Sequence, residues 1–288
     1  MNIGIRLHDT AGASLREHLA NAKAQGFHCV HLAMSKAVPG FRMADAPELL
    51  TDALAEEVRS ALAEYDMQCA VLGCYLNLAT PDEAAYAHTL EIYKAHLRFA
   101  KAIGAQVVGT ETGAPNTGYK TCTECFTEES LQLFINRVRP VIDYADELGQ
   151  KFAIEPVCRH IVSDPERAAR VLAAYPTENL RIILDAVNLL SLANCGRAGE
   201  VIRQAIQLLG DRTEILHMKD YTDQAGDWFG SGVKDLKSVA CGHGGMDYTD
   251  LLRFAAAHPG IPMTLEDTKP DNAEAARLYL EGLAEKLK

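Results

Sequence analysis

The sequence predicts a single closed (β/α)8 barrel, one domain over residues 1–288. Three observations carry this reading. Eight short apolar runs each precede a segment of helical periodicity, the alternation that builds a parallel sheet with helices outside it. No change of composition divides the 288 residues, a length one such barrel accommodates. An open doubly wound sheet, the competing arrangement, lacks its signatures: the first strand is followed by no GxGxxG, and no GxxxxGK[ST] phosphate loop occurs.

The elements follow in order. Residues 2–7 (NIGIRL) alternate as a strand, and Ser14 caps a helix to Gln25, with Glu17 completing a capping box and Gly26 stopping it. HCVHLA (28–33) is the second strand, and a helix over 45–65 follows the PGFRM loop. QCAVLGCY (68–75) is the third. Thr80-Pro81-Asp82-Glu83 then opens a helix, with Thr80 as cap and Pro81 at its first position, and Gly104 closes it. AQVVGTE (105–111) is the fourth strand, followed by a Gly/Thr/Asn-rich loop over 112–126 and a helix from Thr127 to Leu148. KFAIE (151–155) is the fifth strand, and Ser163-Asp164-Pro165-Glu166 starts the next helix. RIILD (181–185), a helix over 200–209 and EILHMK (214–219) come next. A long polar loop, 220–247, separates these from a helix at 248–258, the eighth strand PMTLE (262–266) and a closing helix over 271–287.

Composition narrows the partners. The net charge of −11 argues against a general nucleic-acid or anionic-membrane surface, since phosphate binding needs a basic footprint. No apolar run approaches the roughly 18 residues of a membrane span. MNIGIRLHDT enters a strand directly, without a signal-peptide pattern. Eight cysteines, among them Cys29, Cys69, Cys74, Cys158 and Cys195, sit in apolar contexts, which points to free thiols in the cytoplasm.

Four of the strands end on metal-capable side chains: Glu155, Asp185, His217 and Glu266. Barrel active sites lie at the C-terminal strand ends. If these strands are neighbours, three carboxylates and an imidazole converge on one point. An oxygen-rich set with one histidine suits Mn2+, Mg2+ or Co2+ better than a closed cysteine zinc site, and leaves coordination positions open.

The strand-end Glu–Asp–His–Glu set, DAVN at 185–188, HMKD at 217–220 and CGHGGMDY at 241–248 resemble the xylose-isomerase-like TIM barrel superfamily of sugar isomerases and epimerases, across essentially the whole chain. The resemblance implies that Glu155, Asp185, His217 and Glu266 hold a divalent metal, Mn2+ first. It also implies that Glu155 and Glu266 act as the acid–base pair, moving a proton at a carbon next to a carbonyl through a metal-stabilised enediolate, and that the protein is a homo-oligomer. Three positions depart from the ketose 3-epimerases: Asn188 replaces a histidine, Asp223 an arginine and Ile161 a glutamate. The substrate shell therefore differs in kind from theirs. Asn188 and His-x-Lys-Asp look closer to the sugar-phosphate epimerase and inosose-processing branches.

Further substrate-binding candidates are Glu111 at the fourth strand end, His8 at the first, Asn188, His160 with Arg159 just beyond Glu155, and Lys219, which shares strand parity with His217. His243 lies in the glycine-rich loop. Cys122-Thr-Glu-Cys125 has no second CxxC to complete a zinc site. Trp228-Phe229 is a candidate lid or subunit contact. The expected activity is a metal-dependent isomerase or epimerase of a sugar, cyclitol or sugar derivative. An inosose-type dehydratase shares every one of these residues. A phosphodiesterase of the abasic-endonuclease type would need more strand-end histidines and a basic face. A ligand-binding barrel without catalysis would not need the four-ligand set.

Overall fold

In the computed structural model, which describes residues 1–227 and 234–287, eight parallel strands close on one another. They are β1 (Ile3–Arg6), β2 (Cys29–Leu32), β3 (Gln68–Gly73), β4 (Val107–Glu111), β5 (Lys151–Glu155), β6 (Leu180–Asp185), β7 (Thr213–Met218) and, after two strands outside the barrel, β10 (Met263–Leu265). Neighbours pair in chain order, and β10 closes the ring between β7 and β1.

The helices lie between the strands: α1 (Leu15–Ala24), α2 (Met34–Ala37), α3 (Ala46–Leu49), α4 (Asp52–Glu64), α5 (Glu83–Ile103), α6 (Glu128–Leu148), α7 (Pro165–Ala174), α8 (Ala198–Leu209), α9 (Thr249–Ala257) and α10 (Ala273–Lys286). None is long and apolar enough to cross a membrane. Their starts follow local chemistry. Ser14 accepts a hydrogen bond from the Glu17 amide, while the Glu17 carboxylate accepts one from the Ala13 amide, one residue short of a strict capping box. Asp164 caps α7, with Pro165 in the first helical position. Gly104 ends α5 in the left-handed conformation (φ 72°) that a Cβ disfavours.

The sequence-based boundaries fail in three places. The expected helix over 45–65 is broken at Leu50-Thr51, because the Thr51 hydroxyl accepts from the Leu54 amide and starts α4 afresh. The cap of α5 is Asp82, not Thr80; the Asp82 carboxylate takes the Ala85 amide, so Pro81 precedes the helix. The expected loop over 220–247 contains an antiparallel pair, β8 (Asp220–Asp227) and β9 (Lys234–Val239). Its register pairs Tyr221 with Ser238 and Thr222 with Lys237. Its residues are mostly polar, so no apolar alternation announces a strand. Trp228 and Phe229 lie outside the described residues.

Most apolar side chains pack between the strands and the helices. A second, smaller cluster, including Cys29, Val71, Val107, Ala153, Ile183 and Ile215, fills the barrel interior. Side chains two residues apart on a strand share a face. Ala153 therefore predicts the direction of Glu155, Ile183 that of Asp185, Ile215 that of His217 and Cys29 that of His31: all enter the C-terminal mouth.

Candidate active site

Strand register brings these residues together. Glu111 pairs with Glu155, and Asp185 with His217. The Glu266 amide bonds the Met218 carbonyl, which sets Glu266 beside the end of β7. His217 Nδ1 lies 3.3 Å from Glu155 Oε2 and 3.3 Å from Glu266 Oε1. Lys219 Nζ stands 2.7 Å from Asp185 Oδ2 and 3.3 Å from Glu266 Oε2. Asn188 Nδ2 donates to Glu155 Oε1 at 2.6 Å, and the Asn188 amide donates to Asp185 Oδ1 at 3.0 Å.

Above them opens a cavity of about 640 Å³, whose wall includes Glu155, Glu266, Glu111, Asn188, Lys219 and His8. Asp185 and His217, each 1 % exposed, do not reach that wall. His160 also lies off it. Its Nδ1 is 3.7 Å from Glu111 Oε2 and its ring packs on Tyr119, whose hydroxyl donates to the same carboxylate at 3.3 Å. His160 thus meets the cavity through Glu111 rather than directly. His8 lines the cavity, but from a 3-10 turn (Leu7–Asp9) after β1 has ended at Arg6. Arg159 forms an ion pair with Asp235 and ties the loop after β5 to β9. His243 is exposed and off the wall. Cys122 and Cys125 are free thiols with sulfurs 3.7 Å apart.

Sequence reasoning missed His31, Arg6 and Tyr75. His31 stacks on His217 with ring centroids 5.2 Å apart, and its Nδ1 is 3.5 Å from Glu266 Oε1. The signal was present in HCVHLA, where His31 stands two residues after the interior-facing Cys29. Arg6 Nη1 is 3.8 Å from Glu266 Oε2, and the Tyr75 hydroxyl is 3.4 Å from His31 Nε2.

Burial and mutual charge set the protonation states. Burial, reinforced by Glu155, pushes the Glu111 carboxyl up to about 8. Burial raises Asp185 to about 6 against the pull of Lys219. Burial alone would lower His217, yet Glu266 and Glu155 raise it to about 9. Burial would raise Glu266, but His217 and Lys219 hold it well below the usual carboxylate range. Burial and the Arg6 charge push His8 down to about 4, and burial takes His160 to about 4.

The donor set fits a divalent cation. Neither ring nitrogen of the fully buried His217 has a hydrogen-bond partner among the described residues, although Nδ1 stands at ion-pair distance from two carboxylates. Such orphaned buried polar atoms call for a partner. Ligand atoms of Glu155, Asp185 and His217 fall within 4.8 Å of one another, as do those of His31, His217 and Glu266. His217 is common to both groups, and the four expected ligands divide between them, with His31 as an additional imidazole. Among the described residues, Cys122 and Cys125 belong to neither group.

The family model described as xylose isomerase-like TIM barrel matches residues 19–285. No curated protein matches the chain. Among solved structures, the chain is similar to 3-keto-D-glucoside 4-epimerase from E. coli in its apo form, with TM-score 0.73 and 15 % identity, covering 98 % of this chain and 99 % of that one. It is similar to the probable 3-DHS dehydratase involved in petrobactin synthesis from Bacillus anthracis, with TM-score 0.72 and 14 % identity over 98 % of both chains. It is also similar to a xylose isomerase-like TIM barrel protein from Mycobacterium smegmatis in complex with magnesium, with TM-score 0.69 and 17 % identity, covering 100 % of this chain and 98 % of that one. At these identities the likeness establishes the shared fold.

Proposed function

The chain belongs to the xylose isomerase-like TIM barrel family, and we propose that it is a divalent-metal-dependent isomerase or epimerase of a sugar or sugar derivative, built as one barrel domain. One observation carries the reading: His217 Nδ1, without a hydrogen-bond partner, lies 3.3 Å from carboxylates of Glu155 and Glu266 at the base of a cavity those carboxylates also line. The cation assigned is Mn2+, with Mg2+ or Co2+ as substitutes, held by Glu155, Asp185, His217 and Glu266; His31 stands beside this set. When bound, it supplies a Lewis acid beside the substrate oxygens.

The remaining chemistry belongs to the chain. Glu155, at the end of β5, and Glu266, after β10, approach the cavity from strands separated by β6 and β7. One takes the proton from the carbon next to the carbonyl and the other returns it, on the opposite face for an epimerisation. The Asn188 amide holds one Glu155 oxygen, and Lys219 holds one Glu266 oxygen, so each carboxylate presents its other oxygen in a fixed direction. Glu111, Asn188, Lys219 and His8 contact the substrate from the wall, with His160 steadying Glu111.

A second reading, a dehydratase, has its own support. Glu111, raised to about 8, keeps its proton near neutral pH and lines the cavity, so it can donate to a departing β-hydroxyl. The test is incubation of the protein with ketoses in D2O, with Mn2+ or with a chelator, followed by proton NMR. The proposal expects metal-dependent loss of the signal at the carbon next to the carbonyl and a new isomer. An unsaturated product would select the dehydratase. No exchange with neutral or anionic ketoses would sink both.

A further inference from the structure

The cations around the cavity fall into two sets. Arg6 is neutralised by Asp9 at 3.1 Å and Asp267 at 3.0 Å, and Lys219 by Asp185 and Glu266. Lys36, from α2, and Lys237, from β9, line the same cavity, and neither has a carboxylate partner among the described residues. Both are exposed, whereas Lys219 and Glu266 are buried, so the free lysines occupy the outer part of the cavity.

Two polar groups beside them also lack partners. Ser238, next to Lys237, lines the cavity, and its buried Oγ has no hydrogen-bond partner among the described residues. His8 Nδ1 is in the same condition, on a ring close enough to Lys36 to feel its charge. A chain of net charge −11 has no general excess of cations to place there. Two uncompensated ammonium groups and two unsatisfied polar atoms around one cavity match the needs of a bound anion: point charges and hydrogen bonds to its oxygens. The volume of about 640 Å³ lies within the roughly 300–1,000 Å³ that encloses small ligands.

We propose that Lys36, Lys237, Ser238 and His8 form an anion subsite, and that the substrate is a keto-sugar derivative carrying a phosphate ester or carboxylate away from its reacting carbonyl. The assignment rests on the sugar-isomerase reading for the carbonyl and on the cavity alone for the anion. In the seated ligand, the reacting carbons lie over Glu155 and Glu266 and the anionic end lies toward the mouth.

The test measures the affinities of D-fructose, D-fructose 6-phosphate and 5-keto-D-gluconate by titration calorimetry, on the full chain supplied with Mn2+. At least one anionic ketose is expected to bind about tenfold or more tightly than D-fructose. That ratio falls about tenfold or more in the K36M/K237M double variant and is retained in K36R/K237R. Whichever anionic ketose shows the advantage separates phosphate from carboxylate. Equal affinities, no binding of any of the three, or a ratio unchanged in K36M/K237M would overturn the subsite. Proton exchange in D2O is read on the same samples. An anion advantage without metal-dependent exchange overturns the isomerase reading and leaves the subsite; exchange of D-fructose without an anion advantage does the reverse.

Discussion

His217 Nδ1 lies 3.3 Å from Glu155 Oε2, yet the imidazole makes no hydrogen bond through either ring nitrogen among the described residues. The two buried groups stand at ion-pair distance, with no hydrogen bond directed from the ring to the carboxylate. A cation between them would satisfy both. The neighbouring Glu266, at the same distance from the same nitrogen, extends the argument to the far side of the mouth.

If Glu155 and Glu266 carry the proton, replacing either with glutamine removes a base and weakens the metal site while leaving shape nearly intact. Glu155→Gln and Glu266→Gln are each expected to slow proton exchange by about 100-fold or more. Exchange rates measured by NMR in D2O at saturating Mn2+ check this. A variant within a few-fold of wild type would remove that residue from the chemistry.

Asn188 acts on Glu155 through a 2.6 Å hydrogen bond from its side-chain amide. Asn188→Ala frees that oxygen and lets the carboxylate turn. The expected result is a fall in kcat of about tenfold, the worth of one such bond to a charged group. Steady-state kinetics on the substrate found by the exchange screen would report it, and an unchanged kcat would contradict the positioning role.

Stability of the metal-free protein should fall as pH rises from about 7 to about 9. Burial raises Asp185 from 3.8 to about 6 and Glu111 from 4.5 to about 8. Between the ordinary and the raised value, the folded state keeps a proton that the unfolded chain has lost, so each group destabilises folding progressively across its window. His217 is raised from 6.5 to about 9 by Glu266 and Glu155, against burial. Its contribution is complete below 6.5 and lost as pH passes 9. Below 6.5 the lowered His8 and His160 oppose these shifts; from about pH 7 to about pH 9, Glu111 and His217 act together and stability falls. Added Mn2+ should act oppositely, because ligation requires the His217 nitrogen without its proton. Urea melts across this range, with chelator and with Mn2+, test both slopes. A chelated protein that gains stability between about pH 7 and about pH 9 would refute the protonation scheme.

The loop after β7 depends on one carboxylate. Asp220 accepts hydrogen bonds from the amides of Tyr221 (2.8 Å), Gly242 (3.1 Å), Gly244 (3.0 Å) and Met246 (2.8 Å). Asp220→Ala should cost about 2–4 kcal/mol, from several charge-assisted bonds lost at a buried site. Gly244→Ala should also destabilise, since its Cβ would lie 2.1 Å from the Tyr221 carbonyl oxygen. Equilibrium urea denaturation measures both, and wild-type stability in either would contradict this account of the loop.

Much of this is legible in the sequence. FAI before Glu155 and IIL before Asp185 are buried strand runs, and parity alone turns those carboxylates inward. The hairpin at β8–β9 was not legible, because Asp220–Asp227 is polar and bonds mainly to β9. The broken helix at Thr51 and the Asp82 cap turn on single side-chain hydrogen bonds that compete with equally acceptable neighbours. Among the site residues, Glu111, Asn188, Lys219 and His8 reach the wall, while His160 stands behind Glu111 because the loop after β5 folds back, its Ile161 amide bonding the Gly113 carbonyl. His31 went unread because β2 ends in Leu32 rather than on a charged residue, which hid its place in the mouth.

The most direct test of the central claim is the metal content of the purified protein, by mass spectrometry, for wild type and His217→Ala. The account predicts about one equivalent of a divalent metal in wild type after dialysis against Mn2+, and little in the variant, because both ligand groups lose their shared member. Equal metal in both proteins, or none in wild type at saturating Mn2+, would contradict it.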